Sequence, residues 1–267
     1  MSPLEIAAGA LAGIWAGAIN TIVGSGTLIT FPTLLAIGVP PVTANISNNI
    51  GLVPGSVAGA VGYRRELEGQ RARITRLLVA SVCGGLIGAG LLLVLPPDAF
   101  EAIVPVLILL GVVLVILQPR LSKVVAARAA AREAAGNEPA RDGAWWVWPG
   151  VLVTGVYGGY FGAAQGVLLM AVLGIGINES LQRLNGAKNV LAAAVNAMAG
   201  LLFIVVIEFG LFGIDAEIDW QIVLVLGIGA VVGGLLGASI GRRLPPGVLR
   251  GVIVVVGLVA VATILIT

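Results

Sequence analysis

Histidine is absent from the 267-residue chain, and cysteine occurs once, at Cys83. The first absence removes imidazole haem ligation, histidine-held metal centres and imidazole acid–base chemistry. The second excludes an intramolecular disulfide. Charge is scarce as well: 10% of residues are charged and the formal net charge is +2, too small a surplus to suggest a nucleic-acid partner. No cofactor is expected. What the chain has in abundance is apolar sequence, 58% of all residues, with a mean hydropathy of +1.08. One globular core cannot hide that much. Stretches 77–97, 103–119 and 251–267 carry no charge and do not alternate polar with apolar residues, so they read as helices in a lipid bilayer. The start, Met1 to Glu5, lacks the basic segment of a cleaved leader, and the first span is expected to be retained.

In order, an apolar run from Leu4 ends near Val23 in Gly24-Ser25-Gly26-Thr27. The next piece, 28–37, is too brief to span a bilayer at about 1.5 Å per residue, and reads as a half-helix. A third segment opens with the polar stretch Asn45-Ile46-Ser47-Asn48-Asn49 and continues past Pro54 to Tyr63. Arg64, Arg65, Arg71, Arg73 and Arg76 follow, then two more spans joined at Pro96-Pro97-Asp98. Residues 119–144, with Arg120, Lys123, Arg128, Arg132 and Arg141, read as an exposed helix or a linker.

After the linker the pattern returns. Leu35-Ala36-Ile37-Gly38-Val39 matches Leu173-Gly174-Ile175-Gly176-Ile177 at an offset of 138. Asn45, Asn48, Asn49 and Ser56 fall on Asn185, Lys188, Asn189 and Asn196 at 140, and Gly84 to Ala89 falls on Gly233 to Ala238 at 149. Offsets that change only at loops indicate two copies of one unit: a first repeat at 1–118, a basic linker at 119–144 and a second repeat at 145–267. The basic loop 64–76 corresponds to one bearing Glu208, Asp215, Glu217 and Asp219, whereas the loop with Asp98 and Glu101 corresponds to one with Arg242, Arg243 and Arg250. Because Lys and Arg mark the cytoplasmic side, the copies are expected to be inverted, with five segments each, the second short, and both termini outside. Basic loops 64–76, 119–144 and 242–250 are then cytoplasmic. The expected architecture is an all-α integral membrane protein, two inverted-topology repeats whose broken or short helices meet at mid-membrane, as in transporters. A homo-oligomer is left open.

The candidate site lies on two polar stripes. Asn45, Asn48, Asn49 and Ser56 share one helix face; Asn185, Lys188, Asn189 and Asn196 share another. Such a stripe in lipid must face protein or a hydrated cavity, and interhelical hydrogen bonding is the plainer explanation. Lys188 favours a ligand: it replaces Asn48 of the other copy and has no carboxylate near it on its helix, Glu179 lying well upstream. Arg183, nearer the segment end, reads equally as solvated. Lys188 would supply charge, Asn45, Asn48, Asn49, Asn185 and Asn189 amide hydrogen bonds, and Ser25, Thr27 and Gln165 further donors at the helix breaks. Free N–H groups after the breaks 24–27 and 158–166 would add an anion-attracting end. No carboxylate relay is visible within a span, so drive comes from the membrane potential or a substrate-borne proton, with sodium held by backbone carbonyls a further option.

The glycine break followed by Leu28-Ile29-Thr30-Phe31-Pro32-Thr33-Leu34-Leu35, then Gly38 and Ala44-Asn45-Ile46-Ser47-Asn48, resembles the sulfite exporter TauE/SafE family along essentially the whole chain. It departs from the usual pattern in Gly24-Ser25-Gly26, where a triple glycine is common. The resemblance implies an inner-membrane permease for sulfite, sulfoacetate or a similar small sulfur oxyanion or organosulfonate. Two other classes compete: a membrane-embedded hydrolase with Ser25 as nucleophile and Lys188 as base, and a non-transporting scaffold.

Overall fold

The computed structural model describes residues 1–134, 143–213, 216–240 and 246–266. Ten α-helices occur among them: α1 (Pro3–Ile22), α2 (Thr27–Ala36), α3 (Pro41–Gly62), α4 (Arg71–Val94), α5 (Pro97–Ala134), α6 (Val147–Tyr160), α7 (Gln165–Gly176), α8 (Leu181–Glu208), α9 (Trp220–Ile240) and α10 (Pro246–Ile266). No strand is present among the described residues. Among the described residues five helices are long and apolar enough to cross a membrane, and the protein is an all-α, multi-pass integral membrane protein. Local chemistry sets the helix starts. Ser2 and Glu5 form a reciprocal capping box on α1, Ser180 accepts from the Arg183 N–H on α8, and Asp219 accepts from the Gln221 and Ile222 N–H groups on α9. The segment expected as an exposed helix or linker starts as a helix: α5 runs through Pro119 to Ala134. Arg141, Asp215, Arg242 and Arg243 lie outside the described residues.

The order of elements occurs twice: a helix ending at a glycine break, a short helix, then three longer ones. Packing partners exchange between the halves. α1 lies on α9 as α6 lies on α4, α3 on α9 as α8 on α4, and α2 on α10 as α7 on α5. Glycines allow the closest approaches: a Cβ on Gly17 would run into the Ala230 carbonyl, and one on Gly159 into the Gly85 carbonyl. The corresponding helices α3 and α8 are antiparallel, since Ile50 meets Gly200, Ser56 meets Asn196 and Tyr63 meets Gly186.

A cavity of about 550 Å³ is bordered by Met1 and Glu5 at the start of α1, Ile37 to Pro40 after α2, and Glu217 to Ile222 around the start of α9. The start of α1 and the end of α2 therefore lie at the same end of the molecule. Of the five segments in the first half, the short second one, α2, folds back along α1, and a Cβ on Gly26 would touch the Ala16 carbonyl at 2.5 Å. At the opposite end, the α7–α8 turn is held to the start of α4: Glu179 pairs with Arg73 at 3.0 Å and Arg183 at 2.7 Å, and Arg183 donates to the Glu68 carbonyl at 3.0 Å. Arg183, in the first turn of α8, is thus an ion-pair partner with about a third of its side chain still in contact with solvent. Glu208 accepts from the Trp220 indole at 2.9 Å.

Candidate functional site

The site begins with what a glycine does to the end of α1. Gly24 has φ +87, a conformation costly for any residue with a Cβ. Its N–H turns back to the Ile19 carbonyl at 2.9 Å, one residue beyond the helical partner, Asn20. The carbonyls of Asn20 and Thr21 thereby lose their place in the helical ladder and need donors from elsewhere. The donors come from α8. Lys188 Nζ reaches the Asn20 and Thr21 carbonyls at 3.1 and 3.2 Å, and the Nδ2 atoms of Asn185 and Asn189 reach the Thr21 carbonyl at 3.2 and 3.3 Å. Lys188 is completely buried.

The second break repeats this geometry. The Gly162 N–H, at φ +79, returns to the Tyr157 carbonyl at 3.0 Å, and Asn45 Nδ2, from α3 of the first half, donates to the released Tyr160 carbonyl at 2.9 Å. Each polar stripe therefore caps the broken helix of the other half. The breaks also touch: the Gly166 N–H donates to the Gly24 carbonyl at 2.9 Å, and a Cβ on either glycine would collide with the backbone of the other. Phe31 braces the crossing, edge-on to Phe161 at 5.1 Å between ring centroids.

Beside this crossing lies a polar cavity bordered by Asn20, Thr21, Thr27, Ser56, Gln165, Asn189 and Asn196. The centre of a water-sized particle has about 20 Å³ of room there, enough for about one water. Asn196 donates to Ser56 at 3.4 Å, and Asn48 to Thr27 at 3.4 Å. Gln165 Nε2 at the cavity, and Ser25 Oγ, Asn48 Oδ1 and Asn49 Oδ1 on adjoining segments, are buried polar atoms without a hydrogen-bond partner among the described residues. Unsatisfied buried groups at this density point to a ligand or ordered water.

Of the expected site residues, Thr27, Gln165 and Asn189 border the cavity, Asn48 is tied to it through Thr27, and Ser25 and Asn49 are buried with an unpaired oxygen. Asn45, Asn185 and Lys188 donate to backbone carbonyls at the breaks. The N–H groups expected to be free at the start of α7 are engaged, Gln165 with Gly162 and Gly166 with Gly24. A Ser25–Lys188 dyad is not assembled, because Ser25 Oγ has no partner and Lys188 donates elsewhere. Asn20 was not singled out from the sequence, although it is a lone amide in an apolar run four residues before a glycine; its Oδ1 accepts from the Gly26 N–H at 3.1 Å.

Comparison with known proteins agrees with a membrane transporter. The chain is 26% identical over 252 residues to the probable membrane transporter protein YfcA of Escherichia coli K12, covering 91% of this chain and 82% of that one. It is 25% identical over 234 residues to a probable membrane transporter protein of Haemophilus influenzae, covering 85% and 81%. A probable membrane transporter protein of Sinorhizobium, ORF9, is 26% identical over 241 residues, covering 85% and 78%. No solved structure matches. Since the model of the sulfite exporter TauE/SafE family matches residues 9–264, nearly the whole length, the chain belongs to that family.

Proposed function

We propose that this membrane transporter is an inner-membrane permease for a small sulfur oxyanion or organosulfonate, of the sulfite or sulfoacetate type, working by alternating access between two inverted repeats. The observation that carries the reading is the cavity at the crossing of two broken helices. It is bordered by hydroxyls and amides, Gln165 among them with an unpaired Nε2, next to a buried lysine that pairs with no carboxylate among the described residues. Oxyanions need several donors and no competing carboxylate. Gln165, Thr27, Ser25 and Asn189 meet the anion first, with Lys188 supplying the field. Asn45, Asn48, Asn49 and Asn185 join as the breaks rearrange. The antiparallel α3 and α8 and the exchanged packing partners support inversion. With room for about one water, the cavity is too small for such an anion, so loading requires one half to rock against the other.

The test is flux of sulfite, sulfoacetate, thiosulfate and sulfate into sealed liposomes, with Lys188→Ala and Lys188→Arg beside the parent. Saturable flux of one anion is expected, falling by about 10–100-fold in the alanine variant, the equivalent of one charge-assisted hydrogen bond worth about 1.5–3 kcal/mol. Flux of every anion equal to that of empty liposomes refutes the reading.

A further inference from the structure

The C-terminal end of a broken membrane helix is electronegative, because released carbonyls add to the dipole, and such ends commonly hold a coupling cation in transporters. In this protein the position at the end of α1 is already filled. Lys188 Nζ sits at 3.1 and 3.2 Å from the Asn20 and Thr21 carbonyls. These are oxygens of the kind that coordinate a free alkali ion. The lysine is fully buried, and no ion pair among the described residues involves it. Asn185 and Asn189 direct their amides to the same Thr21 carbonyl, flanking the ammonium with polar groups. The other half has no such charge: its matching residue is Asn48, and the end of α6 is capped by the neutral Asn45.

We propose that the Lys188 ammonium is a tethered cation occupying a monovalent-cation site at the end of α1, so that truncating it creates a site for sodium or a small alkylammonium ion. The ammonium satisfies the released carbonyls as a bound ion would, and leaves one fixed positive charge beside the cavity. A free coupling cation is then unnecessary at this position, which answers one of the options the sequence leaves open. Whether the charge also serves anion movement rests on the permease reading; occupancy of the cation site does not.

The experiment is thermal unfolding of purified Lys188→Ala in detergent, in chloride salts of sodium, potassium, propylammonium and N-methylglucamine at equal ionic strength. Propylammonium restores the deleted atoms, whereas N-methylglucamine is too large to enter. The expected result is a saturable rise in the unfolding temperature of the alanine variant with sodium or propylammonium and none with N-methylglucamine. The parent, and Lys188→Met, whose side chain fills the lysine path without charge, show no such dependence. An alanine variant equally stable, or equally unstable, in all four salts overturns the proposal, as does a parent stabilised selectively by sodium. In liposomes, flux lost in the alanine variant returns to within about threefold of the parent when propylammonium is added, a recovery of about 3–30-fold from a loss of about 10–100-fold. A parent that moves no anion refutes the permease reading, while the thermal result still decides the cation site.

Discussion

Each half of the molecule places an asparagine on the broken helix of the other, but the two caps are not equally supported. Among the described residues the Thr21 carbonyl has three side-chain donors, Asn185, Lys188 and Asn189, whereas the Tyr160 carbonyl has one, Asn45. Loss of a buried carbonyl's partner costs about 1–3 kcal/mol, whereas loss of one donor among three costs less. Asn45→Ala is therefore expected to lower the unfolding temperature in detergent clearly more than Asn185→Ala. Equal effects would mean that water or a rearranged neighbour serves Tyr160 as well. The polar character of both asparagines is visible in the sequence. Their targets are not, because a carbonyl released by a backbone turn leaves no letter behind.

Among the helices, contact is governed by where a side chain is missing. Gly17 and Gly159 face carbonyls of the opposing helix, whereas a Cβ on Gly90 in α4 would meet nothing within 4 Å. Gly17→Ala and Gly159→Ala are expected to cost about 1–3 kcal/mol each through forced separation of backbones. Gly90→Ala is expected to stabilise by about 0.5–1 kcal/mol, because alanine is the better helix former. Denaturation of the three variants side by side checks the contrast. At the α7–α8 turn, Glu179 serves two guanidinium groups, Arg73 with 9% and Arg183 with 32% of its side chain exposed. Removing it as Glu179→Ala leaves desolvated Arg73 without that carboxylate. A loss of about 1–3 kcal/mol is expected, mostly from the Arg73 side, since the more exposed Arg183 pair is worth little. A charge-reversed pair, Arg73→Glu with Glu179→Arg, that recovers part of this loss identifies the contact as electrostatic.

For the whole molecule, the reading as inverted repeats fixes which loops share a side of the membrane. In a Cys83→Ser background, cysteines introduced as Glu68→Cys and Glu217→Cys, both at exposed positions, are expected to react with an impermeant thiol reagent from opposite sides of intact vesicles, Glu68→Cys from the cytoplasmic side. Labelling from one and the same side refutes inversion. Much was readable in the sequence. Helices follow from charge-free apolar runs, the two breaks from Gly24-Ser25-Gly26 and the glycines around Gly158 to Gly166, and the duplication from offsets that change only at loops. All of these are patterns local to the chain or repeated along it, and local patterns survive without contacts. Tertiary structure alone decided that α2 turns back beside α1, that Gly24 and Gly166 touch, and that Lys188 spends two hydrogen bonds on Asn20 and Thr21. The physical reason is shared by all three. A helix break creates a demand for hydrogen bonds where the backbone turns, and in a low-dielectric interior that demand is met by whichever donors the other half of the chain brings within reach.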